Sequence, residues 1–294
     1  MPNEAPSLSL SPSAVSSPKT REVPSLRTQR LGRNLLIAGA ALYLLIVLVA
    51  PLAGLGIELF KMGLIEPLRS LTEPNALAAL RMSLVLTALS VVINAVVGTI
   101  LALAIVRHRF PLRSIVNALA DLPLAVSPVM VGLSFLLLFG REGWFIGALD
   151  YFDIKVVFAF GGLLLGTLFV ALPYTVREVV YVLEELGTSE EEAAATLGAA
   201  PAQIFFRVTL PNIRYALGYG VLMTMARSLG EFGAVLVLGG SISGQTQTAT
   251  TFIHDAIDER AVGSAYGMAV LLALFSIGLL LALEWAKKSG KVKR

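Results

Sequence analysis

The 294-residue chain is 56% hydrophobic and 15% charged, with a net charge of +3. A soluble domain carries about 25% charged residues, so this composition belongs to a membrane protein and offers no basic field for nucleic acid. There is no cysteine, and only His108 and His254 among histidines, which excludes disulfides, thiolate chemistry and cysteine zinc sites and leaves no metal-ligand spacing.

Residues 1–34 are rich in Ser and Pro, lack an apolar run, and read as a disordered tail. The first apolar run, Leu35–Ile57, exceeds the ~7–15-residue core of a cleavable signal peptide and reaches the ~20 residues that cross a bilayer. Five more runs follow: Leu80–Val106, Ile115–Phe139, Val156–Thr175, Ile213–Leu238 and Ser264–Trp285. They lack both the period-two alternation of barrel strands and the polar face of a soluble helix. The expectation is an all-α polytopic membrane protein, with six transmembrane helices over residues 35–286 and a basic tail at 287–294.

Orientation follows from basic residues in short loops. The N-terminal segment holds Lys19, Arg21, Arg27, Arg30 and Arg33; the second connection holds Arg107, Arg109 and Arg113; the fourth holds Arg177, Arg207 and Arg214. The alternate loops carry acid, including Glu58, Glu66, Glu73, Asp150, Asp153, Asp255 and Asp258. Both termini are expected in the cytoplasm, as an even number of spans also requires.

The fourth connection, residues 188–211, is more than a turn. Ser189-Glu190-Glu191-Glu192 fits a capping box between Ser189 and Glu192. Ala193, Ala194, Ala195 and Leu197 favour helix, and Gly198 suits a left-handed C-terminal cap. Pro201 suits the first turn of a second short helix, Ala202–Val208, which Leu210-Pro211 is expected to end. An apolar face from Ile204, Phe205 and Val208 needs a partner or the chain's own helix ends.

Glu192-Ala193-Ala194, then Gly198, then Val208-x-Leu210-Pro211 resembles the EAA loop of bacterial ABC importer permeases, with Val208 where Ile is usual. The resemblance implies the type I (MetI-like) permease fold. In that family the loop forms cytoplasmic coupling helices that dock into a cleft on the ATP-binding subunit. Carried over, ATPase coupling falls on Glu192, Ala193, Ala194, Gly198, Ala199, Ala200, Pro201 and Phe205. Read without the family, the same segment is also a re-entrant or amphipathic surface helix capped for its own stability.

Asp121-Leu122-Pro123-Leu124-Ala125-Val126-Ser127-Pro128, Gly140-Arg141-Glu142-Gly143-Trp144-Phe145, Arg227-Ser228-Leu229-Gly230-Glu231-Phe232-Gly233-Ala234 and Ile253-His254-Asp255 extend the likeness. Over roughly residues 30–290 the chain resembles the sulfate and molybdate permease group, and within it the CysW-type subunits of sulfate/thiosulfate importers. Charges inside spans usually face a protein interior or an aqueous path; here they are Asp121, Arg227 and Glu231. Arg227 and Glu231, four apart, share a helix face. They serve either an anion path, with Glu231 orienting Arg227, or an ion pair that fixes packing. Pro123 and Pro128 kink the third span, and Gly230, Gly233, Gly239 and Gly240 thin or break the fifth. A gate near Ser127 and Gly233 or ordinary small-residue packing both fit. Ser241–Thr246 reads as an external loop.

No Gly-x-x-x-x-Gly-Lys-Ser/Thr occurs, so ATP hydrolysis falls to another polypeptide and the chain is expected to be non-catalytic and without a cofactor of its own. The resemblance implies a CysA-like pair of ATP-binding subunits holding ATP and Mg, a CysT-like second permease subunit and an extracytoplasmic sulfate-binding protein, all at the bacterial inner membrane. A transporter driven by an ion gradient is the rival from a different class, with Asp121 and Glu231 as its titratable groups; no inverted repeat accompanies them.

Overall fold

The computed structural model describes residues 26–63 and 65–291, and all regular elements among them are helical. In chain order they are α1 (Leu26–Leu44), a π-turn (Leu45–Val49), α2 (Ala50–Met62), α3 (Ile65–Ser70), α4 (Pro74–Arg107), α5 (Arg113–Ala125), α6 (Pro128–Phe139), α7 (Ile146–Tyr151) and α8 (Phe160–Leu186). There follow α9 (Ser189–Thr196), α10 (Pro201–Ile204), a second π-turn (Phe205–Thr209), α11 (Leu210–Leu229), α12 (Gly233–Gly239), α13 (Ala249–Asp258) and α14 (Val262–Lys291). The chain divides into two units at Gly54. Within the first, helix α1 begins at Leu26, inside the segment expected as a tail; residues 1–25, the rest of that tail, lie outside the described residues. Its apolar side chains from Leu35 to Val49, such as Leu36 and Tyr43, are exposed.

Four helical stretches are long and apolar enough to cross a membrane: Arg33–Glu58, Pro74–Arg107, Phe160–Leu186 and Val262–Ala282. The other two expected spans are broken. Helices α5 and α6 meet at 114°, and the helix Pro201–Leu229 meets α12 at 54°. The count reaches six only when each bent pair is one span. The third span is therefore not the kinked but continuous helix expected. Pro123 stays inside α5, whereas Ser127 is extended (φ −61°, ψ 137°) because the ring of Pro128 crowds the residue before it, and Pro128 opens α6 at a position where its missing N–H costs nothing.

In the second unit, α4, α8 and α11 form the centre. The 34 residues of α4 make a rod of about 50 Å, longer than the roughly 30 Å hydrocarbon layer. The three helices approach closely through glycine: a Cβ on Gly98 would meet the Thr175 side chain at 3.0 Å, and one on Gly220 would meet Thr175 Cα at 3.0 Å. Buried hydroxyls and amides bond across the contacts. Ser90 pairs with Ser228 (3.0 Å), Thr175 with Thr224 (2.9 Å), and Asn94 Nδ2 donates to Leu168 O (3.3 Å). In hydrocarbon, where apolar burial gives no preference for protein over lipid, close packing and such bonds hold helices together. At the Arg107 end the core is Ala102, Ile105, Ala120, Val176, Val179, Val180, Leu183 and Ile213. Helix α8 continues to Leu186, beyond the expected end at Thr175, so Arg177 lies within a helix and not in a loop.

Candidate functional site

Two features stand out: a helical elbow at the Arg107 end and two abutting helix breaks. The elbow runs from Gly187 to Asn212. Helix α8 stops at Gly187 (φ 64°, ψ −157°), a conformation closed to residues with a Cβ. Helix α9 then starts one residue earlier than the capping box predicts. Thr188, not Ser189, is the flanking residue, and its Oγ1 donates to Glu192 Oε1 (2.6 Å) while Ser189 is already helical. The expected Ser189–Glu192 box is thus absent, and Glu192 is held by Thr188 at an exposed position.

The far end of α9 is as the sequence predicts. Gly198 takes φ +83°, its N–H donates to Ala195 O (3.0 Å), and that of Ala199 to Ala194 O (3.1 Å). This is a Schellman closure. Pro201 opens α10, with the Ala200 N–H donating to Gln203 Oε1 (3.0 Å). The second short helix, however, does not end at Leu210-Pro211. The Leu210 N–H reaches Phe205 O, a π-turn, and the helix continues into α11. A proline ring clashes with the carbonyl four residues back; the widened turn makes room for Pro211. Ala193, Ala200 and Pro201 are exposed, Ala194, Ala199 and Phe205 half-buried. Ile204 and Val208 are half-buried too, so the outward apolar groups are Leu197 (88% exposed) and Phe206 (65%).

Sequence reasoning missed how the elbow is anchored. Glu190 Oε2 accepts from Asn212 Nδ2 (2.5 Å), and Glu191 Oε1 from Thr209 Oγ1 (2.8 Å). Glu191 Oε2 lies 2.9 Å from Arg107 Nε. The partners are far apart along the chain, and no local pattern names them.

The second feature is built on the breaks. A Cβ on Gly233 would lie 2.9 Å from Val129 Cγ2 and 3.1 Å from Val129 N, and one on Gly132 would lie 3.1 Å from Ala234 Cα and 2.9 Å from Val237 Cβ. The starts of α6 and α12 therefore touch through glycine. Glu231, 2% exposed, sits in the second break. Its Oε2 is 2.7 Å from Arg227 Nη1, and its Oε1 accepts the Ala234 N–H (2.9 Å), capping α12. Thr250 Oγ1 donates to Glu231 O (2.7 Å), and His254 stacks on Phe232 with ring centroids 5.4 Å apart, so α13 braces the break. Ser127 is exposed at the first break.

Asp121 stands apart from this cluster. It forms a two-pronged pair with Arg177 Nε and Nη2, and Arg177 Nη1 also donates to Asn117 Oδ1 (3.1 Å). The arrangement ties α5 to α8. The segment Ser241–Thr246 is a bonded turn: Ser241 (φ +49°) donates to Asp255 Oδ2 (2.5 Å), as does Gln247 Nε2 (2.6 Å), and Thr246 Oγ1 donates to Gly239 O (2.5 Å).

Long apolar helices, two spans broken against each other, and a capped elbow between α8 and α11 define a polytopic transport subunit. The chain belongs to the family of inner-membrane components of binding-protein-dependent transport systems, whose model matches residues 94–288. It is 43% identical over 252 residues to the sulfate transport system permease protein CysW of Synechocystis, covering 86% of this chain and 91% of that one. It is 44% identical over 248 residues to the chloroplastic sulfate permease 2 of Chlamydomonas reinhardtii, covering 84% of this chain and 67% of the relative. Its fold is similar to that of a chain in the crystal structure of a bacterial alginate ABC transporter with its periplasmic protein bound (TM-score 0.72, 16% identity, 87% and 93% coverage).

Proposed function

We propose that this chain is a permease subunit of an ATP-driven sulfate importer, forming part of the transmembrane path while a separate subunit hydrolyses ATP. The observation that carries the substrate is its 43% identity to a sulfate permease along 91% of that protein. Thiosulfate, also a tetrahedral dianion, is a second substrate. The elbow supplies the mechanical part. Helix α9 is set off from α8 by Gly187 and closed by Gly198, and the elbow presents Leu197, Ala193, Ala200 and Pro201 outward. A rigid, capped element with small and apolar outward groups suits docking to a soluble ATPase, whose closure then moves the helices attached to it. Basic loops put this face and both termini in the cytoplasm.

The path runs beside the two breaks. Arg227 is one-quarter exposed, and its guanidinium carries N–H groups besides the nitrogen that lies against Glu231. It offers a weak cationic station, tempered by its carboxylate partner so that the anion is released. Ser127 and Gly233 sit where the half-helices meet and form the gate. The partners are a CysA-like ATPase dimer with its ATP and Mg, a CysT-like permease and an extracytoplasmic sulfate-binding protein.

The test is reconstitution of the chain with these partners in liposomes and measurement of labelled sulfate uptake. Uptake that requires ATP and the binding protein, and that persists when ion gradients are collapsed, supports the reading. Uptake driven by an ion gradient without ATP overturns it. Molybdate competing in place of sulfate moves the substrate within the oxyanion group.

A further inference from the structure

We infer that Arg107 is a positioning residue that clamps the elbow to α4 and to the end of α8, so that movement of α9, which Glu190 and Glu191 already tie to the start of α11, is passed to α4, α8 and α11 as one body. The inference rests on the coupling role proposed above for the elbow. Arg107 is the last residue of α4 and its side chain is 13% exposed. Nη1 donates to Leu183 O (3.1 Å) and Nη2 to Gly187 O (2.7 Å), so the guanidinium closes the carbonyl end of α8, where the helix dipole favours a cation. The remaining edge faces Glu191 of α9, with Nε 2.9 Å from Oε2 and Nη2 3.3 Å from Oε1. Glu191 Oε1 also accepts Thr209 Oγ1 (2.8 Å) from the π-turn that leads into α11.

One planar fork thus meets two carbonyls and a carboxylate in fixed directions, which the single point charge of lysine cannot do. The crevice lined by these residues holds about 10 Å³, room for at most one water. With side chains 13% and 22% exposed, the ion pair is partly shielded from solvent. Without the clamp, α9 remains tied to α11 through Glu190–Asn212 and Glu191–Thr209 but loses α4 and the end of α8. Force from the soluble side would then turn the elbow without carrying the bundle.

The experiment compares the reconstituted wild-type complex with Arg107→Met, Arg107→Lys, Glu191→Gln and Arg107→Met/Glu191→Gln. Arg107→Met is expected to assemble and to hydrolyse ATP, with sulfate uptake per ATP falling about tenfold, within the usual range of a coupling free energy. Arg107→Lys is expected to fall between Met and wild type. The double variant is expected to be no worse than Arg107→Met, because glutamine keeps an acceptor for Thr209 and the Arg107–Glu191 contact it weakens is already gone. The native chain has no cysteine, so spin labels at Leu197→Cys and Arg109→Cys report the distance between α9 and the end of α4 directly. It should be narrowly distributed in the wild type and broad with Arg107→Met. If Arg107→Met fails to assemble, Arg107→Gln and Glu191→Gln carry the test by the same ratio. A wild-type ratio in the assembled variants, or an unchanged label distribution, overturns the clamp. Wild-type uptake that ignores ATP instead overturns the functional reading and leaves the label measurement to judge the clamp alone.

Discussion

Replacing Glu231 separates two jobs that one side chain performs. Glu231→Ala removes the cap on the Ala234 N–H (2.9 Å) and leaves Arg227, previously 2.7 Å from the carboxylate, without its counter-charge. Loss of a helix cap costs about 1 kcal/mol. Breaking a fully buried ion pair from one side costs about 3–5 kcal/mol. Arg227 is 25% exposed and can turn partly toward water, so this part is taken as about 2–3 kcal/mol. The sum is about 3–4 kcal/mol, more than a hundredfold in the ratio of folded to unfolded protein. Glu231→Gln keeps an oxygen for Ala234 and loses only the charge, so it should cost about 1 kcal/mol less than alanine. The assay is detergent-titrated unfolding of the purified chain followed by circular dichroism. The reasoning is refuted if Glu231→Ala lies within about 0.5 kcal/mol of wild type, or if glutamine is as damaging as alanine. An apolar pair, Arg227→Met/Glu231→Leu, should lie within about 1 kcal/mol of wild type in stability, since well-packed apolar pairs replace buried ion pairs at little cost. It should nonetheless lose sulfate uptake, because it removes the cationic station.

The glycine contact between the half-helices can be tested by size. Gly132→Leu forces α6 away from the Ala234 backbone and should cost about 1–3 kcal/mol, whereas Gly147→Ala, with nothing within 4 Å of its added carbon, should be neutral or slightly stabilising in a thermal melt. Gly198→Pro demands φ near −65° where the chain has +83°; inserted protein should still appear in membranes, while ATP-dependent uptake is lost. Normal uptake by that variant would remove the elbow from the mechanism. Arg177→Leu strips Asp121 and Asn117 of their shared partner and should loosen α5 from α8. The cost is about 1–2 kcal/mol because Asp121 is 42% exposed, read as a lower melting temperature that Asp121→Leu in the same chain partly restores.

What the linear chain determined is what depends on neighbours along it. Apolar runs of spanning length identify a membrane protein because the bilayer has one thickness. Gly198 announced a left-handed cap because its signal, an alanine-rich helix closed by a residue without a Cβ, lies within a few positions. The EAA pattern located the elbow for the same reason. Where two local signals compete, the three-dimensional context chose between them. Thr188 and Ser189 both suit a helix start, and the flanking position went to Thr188. Pro211 read as a terminator, but a π-turn absorbed its ring, because α11 gains packing against α8 by continuing. Pro123 and Pro128 looked alike, and only Pro128 broke the helix, where α6 could seat its glycine on α12. The anchors of the elbow were illegible: Arg107 and Glu191 are 84 positions apart, and the one read as a loop cation, the other as part of a helix start. Arg177 was counted among loop cations, yet it sits within α8, bonded to Asp121 and Asn117 on α5. An ion pair is a statement about two places in space, and spacing along a chain says nothing about a partner on another helix until the helices are packed.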